Sequence, residues 1–154
     1  MRQIDKRLKE IGIELPAAAK PIANYVPWVR TGNLVFISGQ GPITDGQVSY
    51  PGALGKSVSL EDGIRSARLC GINVIAQLKE ACGGDLDRVR RIVKLVGFVN
   101  ATADFKDHPK VINGASDLMV EVFGDKGRHA RSAVASPSLP LGISTEVEAI
   151  VEID

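Results

Sequence analysis

The chain has 154 residues, of which 44% are hydrophobic and 24% are charged, as is usual for one soluble domain. Nineteen basic residues nearly balance eighteen acidic ones, so the formal net charge is +1. No block of like charge stands out, which argues against a nucleic-acid-binding protein. No stretch approaches the roughly 20 apolar residues of a membrane span. We therefore expect a single domain over residues 1–154.

The first part of the chain, residues 1–16, is predicted to form an N-terminal helical extension. Ile4, Leu8 and Ile11 recur at helical spacing, and Gly12 and then Pro16 end the helix. The segment is charged and lacks the apolar core of a signal peptide. We therefore expect a cytoplasmic protein.

A β-hairpin is predicted next, with strands at residues 28–31 and 34–38 around a Gly32 and Asn33 turn. The segment 39–42, which contains two glycines and a proline, is predicted to break the second strand. Residues 44–56 are rich in glycine, proline and polar residues. They predict a surface loop.

Two long helices are indicated by their start signals and their periodicity. Ser59 followed by Asp62 is a capping pattern, and apolar residues then recur at helical spacing as far as Ala81. Pro109 opens the second helix, and Gly124 closes it. Their apolar faces must cover a sheet.

Three further strands are predicted at residues 89–99, 130–135 and 143–154. The first is apolar on both faces apart from its basic residues, so it belongs in the middle of a sheet or at an interface. The last alternates, with Thr145 and Val147 on one face and its glutamates on the other. About six strands and two long helices predict an α+β fold of two layers.

Several residues of types that are often catalytic or bind metals in other proteins are expected to have structural roles here. Cys70 and Cys82 are expected to be packing residues, and no metal-ligand spacing is present. His129 is expected to face solvent at a strand entrance. Tyr25 and Trp28 are expected to anchor the core or an interface.

One arginine, Arg131, interrupts an otherwise small and apolar strand. A buried guanidinium needs an anion, and fifteen residues later the last strand carries Glu146. Two explanations are open. The two residues form an inter-strand ion pair that fixes the register, or Arg131 holds a ligand carboxylate while Glu146 positions a water or a proton.

Three motifs in order resemble the Rid family, the reactive-intermediate deaminases also called YjgF-like. They are residues 32–40, the Ala130, Arg131 and Ser132 strand, and the terminal segment 146–150. The resemblance covers nearly the whole chain and includes the second helix from Val111. It is typical of a longer subgroup of about 150 residues.

The resemblance implies a chorismate-mutase-like fold, a homotrimer, and small-ligand clefts between subunits. It implies hydrolysis of enamine or imine acids, such as 2-aminoacrylate, to a 2-keto acid and ammonia without a metal or organic cofactor. Arg131 would bind the substrate carboxylate, and Glu146 would position the attacking water. The other substrate-binding residues that it implies are Tyr25, Ser38, Gly39 and Asn113.

Two departures from the family pattern keep other functions open. The residue two positions beyond Arg131 is Ala133, where the family often has Cys or Thr, and Ala23 and Asn24 replace the usual Gly and Pro before Tyr25. The alternative is a trimeric protein that binds a 2-keto acid without turnover. A ribonuclease is the weakest alternative, because the chain is nearly neutral and has no clear histidine pair for RNA cleavage.

Overall fold

Two long helices and a five-stranded sheet make up most of the computed structural model, which describes residues 1–21 and 23–154. The helices are Gln3–Glu10 (α1), Leu60–Ala81 (α2) and His108–Phe123 (α3). The strands are Trp28–Thr31 (β1), Leu34–Gln40 (β2), Ile43–Thr44 (β3), Gln47–Val48 (β4), Val89–Asn100 (β5), Ala130–Ser136 (β6) and Thr145–Ile153 (β7). Among the described residues, no helix combines the length and apolar composition needed to cross a bilayer.

The main sheet has the strand order β1-β2-β7-β5-β6. Only the β5–β6 pair is parallel, so the sheet is mixed, and α2 and α3 pack on one of its faces. This arrangement confirms the predicted α+β fold of two layers. The sheet has five strands rather than about six, because β3 and β4 pair only with each other.

The predicted helix signals act as expected. The Ser59 side chain accepts a hydrogen bond from the backbone N–H of Asp62 at 3.1 Å and so caps α2. Pro109 lies in the first turn of α3, and Gly124 follows its last residue. The apolar faces of both helices are buried against the sheet.

The alternation of the last strand is also confirmed. Every odd-numbered residue of β7 from Thr145 to Ile153 is buried under the helices, and every even-numbered residue is half-buried on the other face. That other face has no helix on it and exposes large apolar side chains. Val29, Phe36 and Val134 are 53%, 42% and 44% exposed there.

The segment between β2 and α2 differs from the predicted loop. The second strand continues through Gly39 to Gln40, past the predicted break, with a register shift after Ile37. The β3–β4 hairpin then lies within the stretch expected to be irregular. Leu54 is fully buried and its backbone N–H donates to the Asn100 carbonyl, so burial of one leucine, worth about 1.5–3 kcal/mol, anchors the segment.

The N-terminal helix is attached through Asp87, a residue more than 80 positions away. Its carboxylate accepts hydrogen bonds from the backbone N–H groups of Gln3 and Ile4, each at 2.9 Å. These are among the N–H groups that a helix start leaves without an internal partner. The bond from Ile4, with that from Gln3, holds the pKa of Asp87 below its usual range.

We expect Asp87→Ala to lower the free energy of unfolding by about 1 kcal/mol at neutral pH, because α1 loses its cap. A carboxyl whose pKa is depressed on folding stabilises the fold above its unfolded pKa of about 3.9 and stops doing so as the pH falls through the folded value. The difference between wild type and variant should therefore close at acidic pH in urea titrations. The control is Asp125→Ala, at a side chain that is 98% exposed. A gap that persists unchanged at acidic pH would contradict this account.

Candidate functional site

Glu146 lines a cleft near the start of β7. The cleft has a volume of about 160 Å³. Its walls come from the N-terminal connector, β2 and the turn before β7. They comprise Ala19, Lys20, Pro21, Tyr25, Pro27, Gly39, Gln40, Gly41, Ile43, Pro140, Leu141, Ile143 and Glu146.

The Glu146 carboxyl is half-buried in this cleft. Burial raises its pKa above the ordinary value, and the charge of the neighbouring Glu148 raises it further. A carboxyl with a raised pKa holds a proton more readily, a property that general acids and bases use.

Gly39 leaves the space that the Glu146 side chain occupies. A Cβ at this position would lie 2.8 Å from both Cδ and Oε2 of Glu146 and 2.9 Å from its Cγ. Such distances are too short for any side chain at position 39, so the glycine is required for Glu146 to stay where it is. Gly39 and Glu146 therefore lie side by side in the cleft.

A buried hydroxyl network lies behind Glu146, and sequence reasoning missed it. Ser66 contacts Thr145 Oγ1 at 2.6 Å and accepts from Ser144 at 2.7 Å, and all three residues are fully buried. The Cys70 thiol contacts Thr145 Oγ1 at 3.2 Å, and burial raises its pKa to about 12. The network fixes the two residues that precede Glu146 in the chain.

The cleft wall formed by the N-terminal connector is also anchored from inside the fold. The Gln77 side chain, which is only 1% exposed, donates to the Ala19 carbonyl at 2.7 Å. This bond holds the segment that brings Lys20 to the cleft. A lone glutamine inside an apolar helix pattern was the available signal in the sequence.

Arg131 lies on β6 and makes two hydrogen bonds to α3. Its Nη1 donates to Asn113 Oδ1 at 2.7 Å and to Ser116 Oγ at 3.1 Å. Both Nη1 hydrogens are therefore used. Among the described residues, its Nε–H and Nη2–H groups have no acceptor and Arg131 has no ion pair. Two parallel N–H donors of this kind can bind a carboxylate with two hydrogen bonds.

His129 does not face solvent as predicted. Its ring is half-buried, with Nδ1 at 2.6 Å from the Gly127 carbonyl oxygen and Nε2 at 2.9 Å from Ser116 Oγ. Burial lowers its pKa, and the charge of Arg131 adds to that effect. The sequence placed His129 two residues before Arg131, but it did not show that Ser116 joins them.

Arg131 and Glu146 lie on opposite faces of the sheet, so the first of the two explanations, an inter-strand ion pair, does not hold within one chain. Strand β5 separates β6 from β7, and it pairs Arg131 with Leu95 and Glu146 with Phe98. Leu95 and Phe98 are an odd number of residues apart, so their faces differ. The helix face holds Arg131, and the open face holds Glu146.

The other predicted residues divide between these two places. Tyr25 and Gly39 line the cleft with Glu146, whereas Asn113 bonds Arg131 on the helix face. Tyr25 is 48% exposed and is not a core anchor. Ser38 lies on a neighbouring depression, and its hydroxyl donates to the Val26 carbonyl at 3.3 Å.

The remaining cysteines, arginines and possible metal ligands do not form a second site among the described residues. Cys70 and Cys82 are free and buried, which confirms their assignment to packing. Arg90 and Arg91 are exposed. Among residues 1–21 and 23–154, no three His, Cys, Asp or Glu side chains gather closely enough to hold a metal ion.

We expect Gly39→Ala to destabilise the protein by at least about 1 kcal/mol, because the new methyl group overlaps the Glu146 side chain. The same change should cost much less in a Glu146→Ala background, where the overlapping atoms are gone. Urea unfolding of the four proteins at one fixed concentration gives the coupling between the sites. Additive effects of the two substitutions would show that the contact has no energetic consequence.

Comparison with known proteins identifies related sequences and structures with the same fold. The family model described as "YjgF/chorismate_mutase-like, putative endoribonuclease" matches residues 5–153. Protein TCP17 of Trypanosoma cruzi is 45% identical over 153 residues, which cover 99% of this chain and 95% of that protein. The crystal structure of Atu1372 from Agrobacterium tumefaciens has a TM-score of 0.92 at 48% identity and covers 98% of this chain and 92% of its own. The expected chorismate-mutase-like fold is confirmed.

A more distant relative has been solved with a ligand. The crystal structure of Escherichia coli TdcF, solved with bound serine, has a TM-score of 0.62 at 27% identity. The match covers 91% of this chain and 94% of TdcF. The lower TM-score agrees with a chain whose backbone departs from that relative more than from Atu1372.

Proposed function

The chain belongs to the YjgF/Rid family, and on that premise we propose that it hydrolyses small imine and enamine 2-amino acids to 2-keto acids and ammonia. Arg131 binds the substrate carboxylate in this proposal, and Glu146 handles the proton of the attacking water. The family membership by itself supports a small-molecule-binding or imine deaminase-type role. The assignment of a specific reaction rests on Arg131 and Glu146 of this chain.

The observation that carries the proposal is the free edge of Arg131. Its Nη1 group is occupied by Asn113 and Ser116, while the Nε–H and Nη2–H groups point to no acceptor among the described residues. A planar pair of donors matches the two oxygens of a carboxylate. The serine bound to the relative TdcF is itself a small acid with a free carboxylate of this kind.

The reaction uses Glu146 as a base and then as an acid. Water adds to the imine carbon, so a C–O bond forms, the C=N double bond becomes single, and Glu146 accepts one proton of the water. The proton then passes to the nitrogen and gives a carbinolamine. The hydroxyl of this intermediate gives up its proton, which reaches the nitrogen through Glu146 as the C=O bond forms, the C–N bond breaks and ammonia leaves. The sum is imine plus water giving keto acid plus ammonia, with no redox change.

A homotrimer completes the proposed site. Because Arg131 and Glu146 are on opposite faces of one sheet, a ligand can meet both only where two subunits adjoin. The uncovered sheet face with Val29, Phe36 and Val134 supports such an assembly, since exposed apolar patches of this kind are typical of subunit interfaces. Each cleft would then take Glu146 from one subunit and Arg131 from its neighbour.

A binding protein without turnover is the second candidate. It is favoured by one observation, that a relative of this fold has been solved with serine bound. Pyruvate binding by calorimetry, measured beside keto-acid release, separates the two functions. Binding that depends on Arg131, with no release of product above the uncatalysed rate, would identify a binder.

We expect Arg131→Ala to lower kcat/KM by about 100-fold for release of pyruvate from 2-iminopropionate generated in situ, because a charge-assisted pair of hydrogen bonds is lost. The matched control is Arg128→Ala, three residues away, whose side chain is 69% exposed. That variant should keep the wild-type rate. Equal rates for Arg131→Ala and wild type would exclude the role given to Arg131.

A further inference from the structure

We propose that Ser116 and His129 are positioning residues that hold the Arg131 guanidinium in the orientation that receives a carboxylate. The inference rests on the proposed function, because it assigns a purpose to the same arginine. It concerns two residues that the family resemblance did not indicate. They form a continuous chain of hydrogen bonds from Gly127 to Arg131.

The direction of each hydrogen bond follows from the two end groups, one of which can only accept and the other only donate. The Gly127 carbonyl can only accept, so His129 Nδ1 must carry the hydrogen that spans their 2.6 Å contact. Arg131 can only donate, so Ser116 Oγ accepts from Nη1 at 3.1 Å. The contact that remains is the one between Ser116 Oγ and His129 Nε2, at 2.9 Å.

The protonation state of His129 determines whether Ser116 Oγ or His129 Nε2 donates the hydrogen in this last contact. Burial of the ring lowers its pKa, with a further contribution from the charge of Arg131, so the neutral imidazole predominates at neutral pH. A neutral ring with its hydrogen on Nδ1 offers a lone pair at Nε2. The Ser116 hydroxyl therefore donates its single hydrogen to His129, and its lone pairs face Arg131.

The consequence for Arg131 is a fixed guanidinium plane. Ser116 Oγ and Asn113 Oδ1 together take both hydrogens of Nη1, so the group cannot rotate without losing a bond. The edge formed by Nε and Nη2 then stays free for a ligand. Without His129, the Ser116 hydroxyl loses the acceptor that fixes its hydrogen, and its lone pairs are no longer held toward Arg131.

The series of hydrogen bonds is attached to helix α3. Gly127 is buried and packs on the backbone of α3, where any side chain would overlap the Met119 carbonyl oxygen. Ser116 lies on the same helix, at its partly buried face. Gly127 and Ser116 are therefore both held by α3, and the hydrogen bond from Ser116 fixes Arg131 relative to that helix.

The first test needs no ligand. NMR of the Arg131 guanidinium should show slow rotation of its Nη1 group in the wild type and faster rotation in Ser116→Ala and His129→Phe. Ser116→Thr, which keeps the hydroxyl, should restore the wild-type signal. Ring ¹⁵N shifts should place the hydrogen of His129 on Nδ1. Guanidinium signals that are the same in wild type, Ser116→Ala and His129→Phe would overturn the inference, as would a hydrogen on Nε2 of a neutral ring.

The second test measures carboxylate affinity with pyruvate as the probe. We expect Ser116→Ala and His129→Phe each to raise Kd about tenfold, and the double variant to be no worse than either, because both act through one chain. In turnover, KM should rise while kcat changes less than about twofold. The control is Asp117→Ala, an exposed neighbour on α3.

The outcomes separate this inference from the proposed function. If Arg131→Ala binds pyruvate as well as the wild type does, the role of Arg131 fails, and the guanidinium signals still decide whether Ser116 and His129 order it. If Arg131→Ala loses binding but Ser116→Ala does not, the positioning role fails and the proposed function stands. If His129→Phe does not fold, the Ser116→Ala and Ser116→Thr pair carries the same comparison.

Discussion

The central strand β5 separates the two ionisable side chains on which the proposed chemistry depends. Arg131 lies on the strand to one side of β5 and points toward the helices, and Glu146 lies on the strand to its other side and points away from them. The alternation of side chains along a strand fixes this separation, and no change of rotamer can remove it. A site that uses both residues must therefore draw them from two copies of the chain.

Each half of that site is held by its own local structure. On the open face, Gly39 leaves room for Glu146, and the Ser66, Ser144 and Thr145 hydroxyls fix the start of its strand. On the helix face, Asn113 and Ser116 hold the guanidinium of Arg131. Each residue is thus ordered by contacts within its own chain, and side chains that are ordered in advance lower the entropy lost on binding a small ligand.

The amino-acid sequence predicts much of this fold because its strongest signals are local. The cap at Ser59, the proline in the first turn of α3, and the alternation of β7 each depend on neighbours in the chain, and all three are confirmed. The buried Leu54 was missed because one apolar residue in a polar segment carries no periodicity. The wrong expectations came from contacts between distant segments.

Strand order is the main example of such a contact. Arg131 and Glu146 are close in the sequence, and consecutive strands are often neighbours, so an ion pair was one of the two explanations left open for Arg131. Strand β5 lies between them, parallel to β6 and antiparallel to β7, and leaves β6 at the sheet edge. His129 was misplaced for the same reason, since its partner Ser116 lies on a different element.

The most direct test of the shared site mixes two defective subunits. Arg131→Ala and Glu146→Ala chains, each inactive alone, would be co-expressed with different tags and purified through both, with their trimeric size verified by sedimentation. In a ring of three, every mixed trimer has one junction where an intact Arg131 meets an intact Glu146, so we predict about one third of the wild-type activity per trimer. Mixed trimers as inactive as their parents would contradict a site made by two subunits.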